Sequence, residues 1–300
     1  MTSEPIIYVN GEFVPQSEAR ISVMDHAVLY GDGVFETVAA WGGRIFRLAP
    51  HIDRFFRSCK AVGMTSPVDR AELTRLLIEA VRRNKLENAY LKWILTRGSN
   101  GTPLMDPEGC VPNLIILAKP YIHRGPSGAS GLRMKTAAIR RPSGQVLDPH
   151  IKSLNYLNFV LAKLEAKAAK VDHCLLLDLN GRVCEAPGFN VFVVQDGRLR
   201  TPRHDILEGV TRAAVMDLAK EAGIGCEVDD LELYDAYTAD EMFLTSTAGG
   251  LIPVSELDGR TIGDGQPGPV FTRLAEGYLR LLESGQESTP VYGDDGMAKA

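Results

Sequence analysis

Ile151-Lys152-Ser153-Leu154-Asn155-Tyr156-Leu157-Asn158 is the stretch on which the reading of this chain turns. It follows a turn-like Leu147-Asp148-Pro149-His150. Leu154, Leu157, Leu161 and Leu164 then recur at helical spacing, which predicts a helix opened by Lys152 and running to about Lys170. A rigid helix start aims an amine in one direction. In partly apolar surroundings that amine loses proton affinity and becomes a nucleophile toward carbonyls. If the carbonyl is an aldehyde cofactor, the chain should also hold a phosphate cradle and an acid for a pyridine nitrogen.

Candidates for both are present. Leu207-Glu208-Gly209-Val210-Thr211-Arg212 sets a glycine before a predicted helix, where unpaired amides and a partial positive charge favour an anion. Taken alone, it reads more readily as an ordinary glycine-preceded helix start. Thr245-Ser246-Thr247-Ala248-Gly249-Gly250 follows the apolar Met242-Phe243-Leu244 and can wrap an oxyanion with amide and hydroxyl donors. Arg54, between Asp53 and Phe55, offers a fork that binds oxygens in pairs, although an isolated arginine on an amphipathic helix is usually solvated. Glu185 precedes Ala186-Pro187-Gly188-Phe189-Asn190, a strand end and turn that can point a carboxylate at a pyridine nitrogen.

The 300 residues fit one large domain or two medium ones, and 45% hydrophobic with 24% charged residues is an ordinary globular balance. A net charge of -5 with dispersed basic residues points away from nucleic acid and anionic membranes. Five cysteines without metal or redox spacing read as buried reduced thiols in a cytoplasmic protein. The start Met1-Thr2-Ser3-Glu4-Pro5 lacks the basic and apolar regions of a signal peptide, and no apolar run is long enough to span a membrane.

Asn10-Gly11 predicts a hairpin between Ile6–Val9 and Glu12–Val14. Helices are expected from about Pro50 to Val62 and after Asp69, where Glu72 completes a capping-box pattern. Strands are expected at about 89–97, 113–119 and 132–139. A meander of short strands should then precede helices at about 210–222 and 269–283. This mixture predicts an α+β or α/β fold in two parts. We place a small N-terminal α/β domain at 1–120, a linker at 121–131, a larger C-terminal domain at 132–283 and a flexible tail at 284–300.

The order of these features resembles the class IV (fold type IV) pyridoxal-phosphate aminotransferases. The likeness covers roughly residues 5–283. It is carried by His51-Ile52-Asp53-Arg54, Lys152-Ser153-Leu154-Asn155, Glu185 with Asn190, Leu207–Arg212, and Thr247–Gly250 with Pro253. The resemblance implies a homodimer or larger homo-oligomer, with pyridoxal 5'-phosphate between the small domain and a barrel-like C-terminal domain. It implies Lys152 as the catalytic Schiff-base lysine and Glu185 at the pyridine nitrogen. Arg54, Gly209, Val210, Thr211 and Thr247 would hold the phosphate. Asn190 joins the cofactor set, as does Tyr156 at the phenolic oxygen, one residue out of the spacing in many branched-chain enzymes.

Tyr30-Gly31-Asp32-Gly33-Val34-Phe35-Glu36-Thr37 is similar to the family's substrate-side strand. Tyr30, Phe35, Tyr90, Lys92, Thr247 and Ala248 are the implied substrate contacts. Lys92 stands where branched-chain enzymes carry an arginine, and Arg97 reads as a scaffold residue. Glu36-Thr37-Val38-Ala39 departs from the branched-chain Glu-Gly-x-Arg pattern, and Ser99–Pro103 lacks the carboxylate trap of D-amino acid transaminases. The first expectation is transfer from a branched-chain L-amino acid to 2-oxoglutarate. (R)-selective amine:pyruvate or D-amino acid transamination is the alternative, and a lyase of the aminodeoxychorismate type a further one.

Overall fold

The computed structural model describes residues 4–121 and 131–293. It divides into two compact units: Met1–Ile122 with Ile151–Asn155 and Leu282–Ala300, and His123–His150 with Tyr156–Leu281. The division corrects the single break expected at 121–131. Five residues around Lys152 and the C-terminal segment belong to the first unit. Residues 122–130 of the expected linker and 294–300 of the expected tail lie outside the described residues.

The first unit contains β1 (Ile6–Val9), β2 (Glu12–Pro15), α1 (His26–Tyr30), β3 (Gly33–Trp41), β4 (Arg44–Phe46), α2 (Leu48–Ala61), α3 (Arg70–Arg83), β5 (Ala89–Ser99) and β6 (Val111–Pro120). The expected hairpin forms with Asn10 and Gly11 both at positive φ, the backbone that Asn-Gly adopts readily. The long antiparallel β3–β5–β6 pairings form the middle of a seven-stranded sheet. Helices α2 and α3 pack on it. Phe55, Leu73 and Leu77 from the helices meet Val34, Val38, Leu91, Trp93 and Ile116 from the strands in one buried core. Asp69 caps α3 by accepting from the Glu72 amide, whereas the Glu72 side chain turns to Arg75, so only half of the expected capping box forms.

Strand Ser288–Pro290 adds to β4, and Val291 is fully buried in the same core. The described part of the expected tail is therefore an integral edge of the sheet. Ladder pairing and one buried valine outweigh the polar composition around them.

The second unit holds β7 (Leu132–Thr136), α4 (Leu157–Ala168), β8 (His173–Leu175), β9 (Glu185–Ala186), β10 (Phe189–Gln195), β11 (Arg198–Pro202), α5 (Val210–Glu221), β12 (Cys226–Asp229), α6 (Leu233–Tyr237), β13 (Glu241–Ser246), β14 (Gly250–Leu257), β15 (Arg260–Thr261) and α7 (Pro269–Ser284). Its nine-stranded sheet runs β12-β11-β10-β13-β14-β7-β8, with β15 on β14 and β9 on β10. The apolar runs of β10 and β13 are buried throughout most of their length, and Phe192 stacks on Phe243 at 5.2 Å. Glu241 accepts from the Val270 and Phe271 amides at 2.9 and 2.7 Å, which fixes the start of α7.

The helix predicted to open at Lys152 begins instead at Leu157. The leucines read as its core stripe also face the other way: Leu157, Val160, Leu161 and Leu164 are exposed, while Phe159, Ala162 and Ala166 are buried. The inner face packs Phe159, Ala162 and Ala166 with Ala137, Cys174 and Leu176 in one buried cluster.

Candidate active site

Lys152 lies on an extended segment strapped along the edge of β3. Phe35 donates its amide to the Lys152 carbonyl at 2.9 Å, and Leu154 donates to the Gly33 carbonyl at 2.9 Å. Asn155 Nδ2 reaches the Gly31 carbonyl at 3.1 Å, and the Lys152 amide donates to Ser58 Oγ on α2 at 3.2 Å. Gly33 is required by this approach: a Cβ there would meet Leu154 Cδ1 at 2.6 Å and the Leu95 carbonyl at 2.8 Å. The lysine is thus aimed by strand-type pairing, not by a helix start.

Strand β3 presents two chemistries on its two faces. Val34, Glu36, Val38 and Ala40 form the buried row. Phe35 and Thr37 lie on the other face, opposite Ile94 and Lys92 of β5. The Lys152 Nζ lies 4.8 Å from the Phe35 ring centroid and the Lys92 Nζ lies 4.3 Å from the same centroid. Among the described residues, Lys92 has neither a hydrogen bond nor an ion pair, and burial lowers its proton affinity. Tyr90, two residues earlier, places its hydroxyl 3.5 Å from Thr37 Oγ1.

Arg54 is buried, not solvated. Its Nε and Nη2 donate to Glu36 Oε1 and Oε2 at 2.5 and 2.9 Å. His51, one helical turn earlier, sits 2.9 Å from Glu36 Oε2 through Nδ1. A carboxylate only accepts, so that nitrogen carries the proton. The Thr37 amide donates to the same oxygen at 3.1 Å. Burial alone would raise the Glu36 carboxyl; the Arg54 charge and the His51 contact outweigh it and hold the group well below the usual carboxylate range. Burial holds the His51 imidazole below its usual value against the pull of Glu36, so it is neutral at pH 7.

Tyr30 ends α1 rather than lying on a strand. It is partly exposed, and its hydroxyl donates to the Pro103 carbonyl. Arg97 serves as scaffold: it pairs with Asp32 and donates to the Val62 carbonyl at 2.7 Å.

In the second unit, Glu185, Asn190 and Thr245 are successive cross-strand partners on β9, β10 and β13. Directly opposed residues share a face, so the three project together. Glu185 is buried; its Oε1 accepts from Arg141 Nε at 2.7 Å and its Oε2 from the Leu207 amide at 3.0 Å. Arg141 lies 4.5 Å from the Phe159 ring centroid. Asn190 Nδ2 donates to the Leu207 carbonyl at 2.8 Å, and a Cβ on Gly209 would meet Asn190 Oδ1 at 2.0 Å. Gly209 is therefore needed for space at an ordinary φ of -69°. As N-cap of the 12-residue α5 it supplies no side-chain cap, and Val210 and Thr211 open that helix. Thr247, Ala248 and Gly249 form the turn after β13, where the Gly249 amide donates to Ser246 Oγ at 2.8 Å. Tyr156 is the N-cap residue of α4 and packs edge-on against Phe159 at 4.9 Å.

Sequence reading missed Glu36 and Arg141. Glu36 had a signal: a charge on the inward row of an alternating strand must find a partner. Arg141 had none, since its carboxylate lies 44 residues away.

The chain matches the family described as amino-transferase class IV over residues 33–257. It is 44% identical to the putative branched-chain-amino-acid aminotransferase of Methanocaldococcus jannaschii, over 91% of this chain and 94% of that one. It is 35% identical to the branched-chain-amino-acid aminotransferase of Pseudomonas aeruginosa, over 94% of each. Among solved structures it is similar to the T.th. branched-chain amino acid aminotransferase with pyridoxamine 5'-phosphate, with a TM-score of 0.93 at 35% identity over 97% of this chain and 100% of that one. The same enzyme complexed with N-(5'-phosphopyridoxyl)-L-glutamate gives a TM-score of 0.91 at 36% identity, over the same shares. This chain belongs to the class IV aminotransferases, and its mixed α/β fold is the fold type IV architecture of these relatives.

Proposed function

We propose that this aminotransferase uses pyridoxal 5'-phosphate to move the amino group of a branched-chain L-amino acid to 2-oxoglutarate, with Lys152 as the catalytic residue. The observation that carries the reading is the strapped Lys152 segment, whose amine rests on Phe35 beside the unpaired Lys92. The substrate and ligand that these relatives are named for support the choice of donor and acceptor.

The residues of the second unit fit the cofactor by their chemistry. A buried carboxylate, Glu185, is held by Arg141 and can keep a pyridine nitrogen protonated. The α5 start has no side-chain cap, so the Val210 and Thr211 amides suit a phosphate, aided by the Thr247 turn. Asn190 braces Leu207 and Gly209 behind that helix start. Tyr156 would face the phenolic oxygen, and Arg54 would add a guanidinium to the phosphate.

When bound, the cofactor supplies an electron sink for the pair left on the substrate's α-carbon. Lys152 Nζ would hold the cofactor at its aldehyde carbon and, as a free amine, would carry the proton of the substrate's α-carbon. Phe35 and Tyr90 line the side-chain space with Tyr30, and Lys92 provides a cation for a carboxylate. Thr247 and Ala248 would offer turn amides to the α-carboxylate.

The chain would act as a homodimer or larger homo-oligomer, which the exposed apolar face of α4 supports; a monomer mass by light scattering would overturn that. We place it in the cytoplasm, where its five free cysteines stay reduced. No described helix is long and apolar enough to cross a membrane.

Purified enzyme is to be assayed with L-leucine, D-alanine and (R)-1-phenylethylamine against pyruvate and 2-oxoglutarate. L-Leucine with 2-oxoglutarate should be fastest; preference for either other donor, or product release without an acceptor, would sink the substrate assignment. Lys152→Ala should lower turnover by at least ~10³-fold, in the range expected for a positioned proton carrier, and abolish borohydride fixation of the cofactor.

A further inference from the structure

We infer that Glu36 is the positioning residue of the cofactor's phosphate end: it holds the Arg54 guanidinium by its Nε–Nη2 edge, with His51 and the Thr37 amide locking the carboxylate in turn. The inference rests on the assignment of Arg54 to the phosphate under the proposed function.

The geometry is over-determined. Glu36 is fully buried and accepts from Arg54 twice, from His51 and from its neighbour's amide. Three of those four bonds come from α2, at positions 51 and 54, which share one helix face. Glu36 itself is fixed in the middle of β3, between Val34 and Val38 of the same buried row. Three elements of freedom are removed at once: the rotamer of the acid, the tautomer of the histidine and the roll of the guanidinium. A guanidinium gripped along one edge presents its opposite donor edge in a single direction.

Charge and position make opposite demands here, which gives the test its power. Glu36 cancels much of the Arg54 charge, so as a mere counter-ion it would weaken phosphate binding. Removing it would then strengthen binding. As a positioning residue its removal has the reverse effect, because the donors scatter and oriented binding is lost. Burial also matters: the arginine has to re-pair elsewhere once the carboxylate has gone.

The experiment titrates apo-protein with pyridoxal phosphate and, separately, with pyridoxal, following the absorbance of the bound aldehyde. The ratio of the two affinities, pyridoxal phosphate over pyridoxal, isolates the phosphate end. A purely structural defect weakens both ligands together and leaves the ratio alone. Arg54→Gln should cut the ratio by ~10- to 100-fold, the range for hydrogen bonds to charged groups. Glu36→Gln should cut it by ~10-fold while pyridoxal itself binds within about twofold of wild type, since only the phosphate contact is disturbed. Glu36→Asp keeps the charge but withdraws it by one methylene, and it should also lower the ratio. It carries the test by itself if Glu36→Gln does not fold. An unchanged or increased ratio in the Glu36 variants beside a collapsed ratio in Arg54→Gln overturns the positioning role. An unchanged ratio in Arg54→Gln removes Arg54 from the phosphate, and the inference falls with it. Loss of pyridoxal binding without aldehyde attachment in wild type would instead strike at Lys152 and the function as a whole.

Discussion

Each unit buries one glutamate against one arginine, and the two pairs are built differently. Glu36 takes its partners from a single helix turn, with residues 51 and 54 of α2 above residue 36 of β3. Glu185 takes a side chain from 44 residues upstream and a backbone amide from 22 residues downstream. The first pair is assembled by local secondary structure and grips both oxygens with one guanidinium. The second is assembled by loops and shares its oxygens between a side chain and the chain itself. A short-range pair suits a rigid brace. A long-range one gathers Arg141 and Leu207 on the acid, with Asn190 as its cross-strand neighbour.

Removing the arginines should separate the two pairs most clearly. Arg54→Met and Arg141→Met each leave a buried carboxylate without its guanidinium, and we expect losses of about 3–5 kcal/mol in urea unfolding. Arg54→Met should cost more, because it removes the hydrogen bonds from both Nε and Nη2, where Arg141→Met removes that from Nε. Equal or inverted losses would remove the distinction between the short-range and the long-range pair.

A second contrast lies in the buried histidines. His51 is satisfied by Glu36, whereas His173 accepts from the Cys174 amide at 3.1 Å through Nδ1, and its buried Nε2 has no partner among the described residues. Burial lowers the His173 pKa from 6.5 to about 4. A base with a depressed folded pKa stabilises the fold above its unfolded value. That contribution is lost as pH falls from about 6.5 to about 4. It amounts to ~3 kcal/mol over the window. Unfolding free energies measured between pH 7 and 4 should show the decline, and His173→Gln should flatten it; an unchanged slope would assign the decline to other groups.

A milder change probes the second unit alone. Gly209→Ala places a methyl on Asn190 Oδ1, and the amide must swing from the Leu207 carbonyl. We expect a loss of ~1–3 kcal/mol from overpacking, with weaker phosphate binding than in wild type. A Gly209→Ala protein with unaltered stability and cofactor affinity would show that the Asn190 brace is dispensable.

Much of this was legible in the sequence, for identifiable reasons. The Asn10-Gly11 turn, helix α2 and strands β5 and β6 followed from turn chemistry and periodicity, which are local. Lys152, Glu185 and Gly209 stood out as candidates because each stands in a distinctive short motif. Lys152's setting was misread because its segment pairs with β3, more than a hundred residues earlier, and that pairing suppresses the helix until Leu157. The leucine stripe of α4 was misread because hydrophobic spacing reports an apolar face without saying what covers it.

Residue types and their short spacings suffice to specify most of the elements and the available chemistry: which groups can hold a phosphate, attach an aldehyde or protonate a ring. Within a turn or two of chain, backbone geometry is nearly fixed, so such spacings translate directly into shared faces. Folding of distant segments onto one another was needed to place Lys152 in the first unit, to set Glu36 against Arg54 and Glu185 against Arg141, and to close the first sheet and core with residues 288–291. Burial decides such contacts, since a charge removed from water must be paired by whatever the fold brings to it.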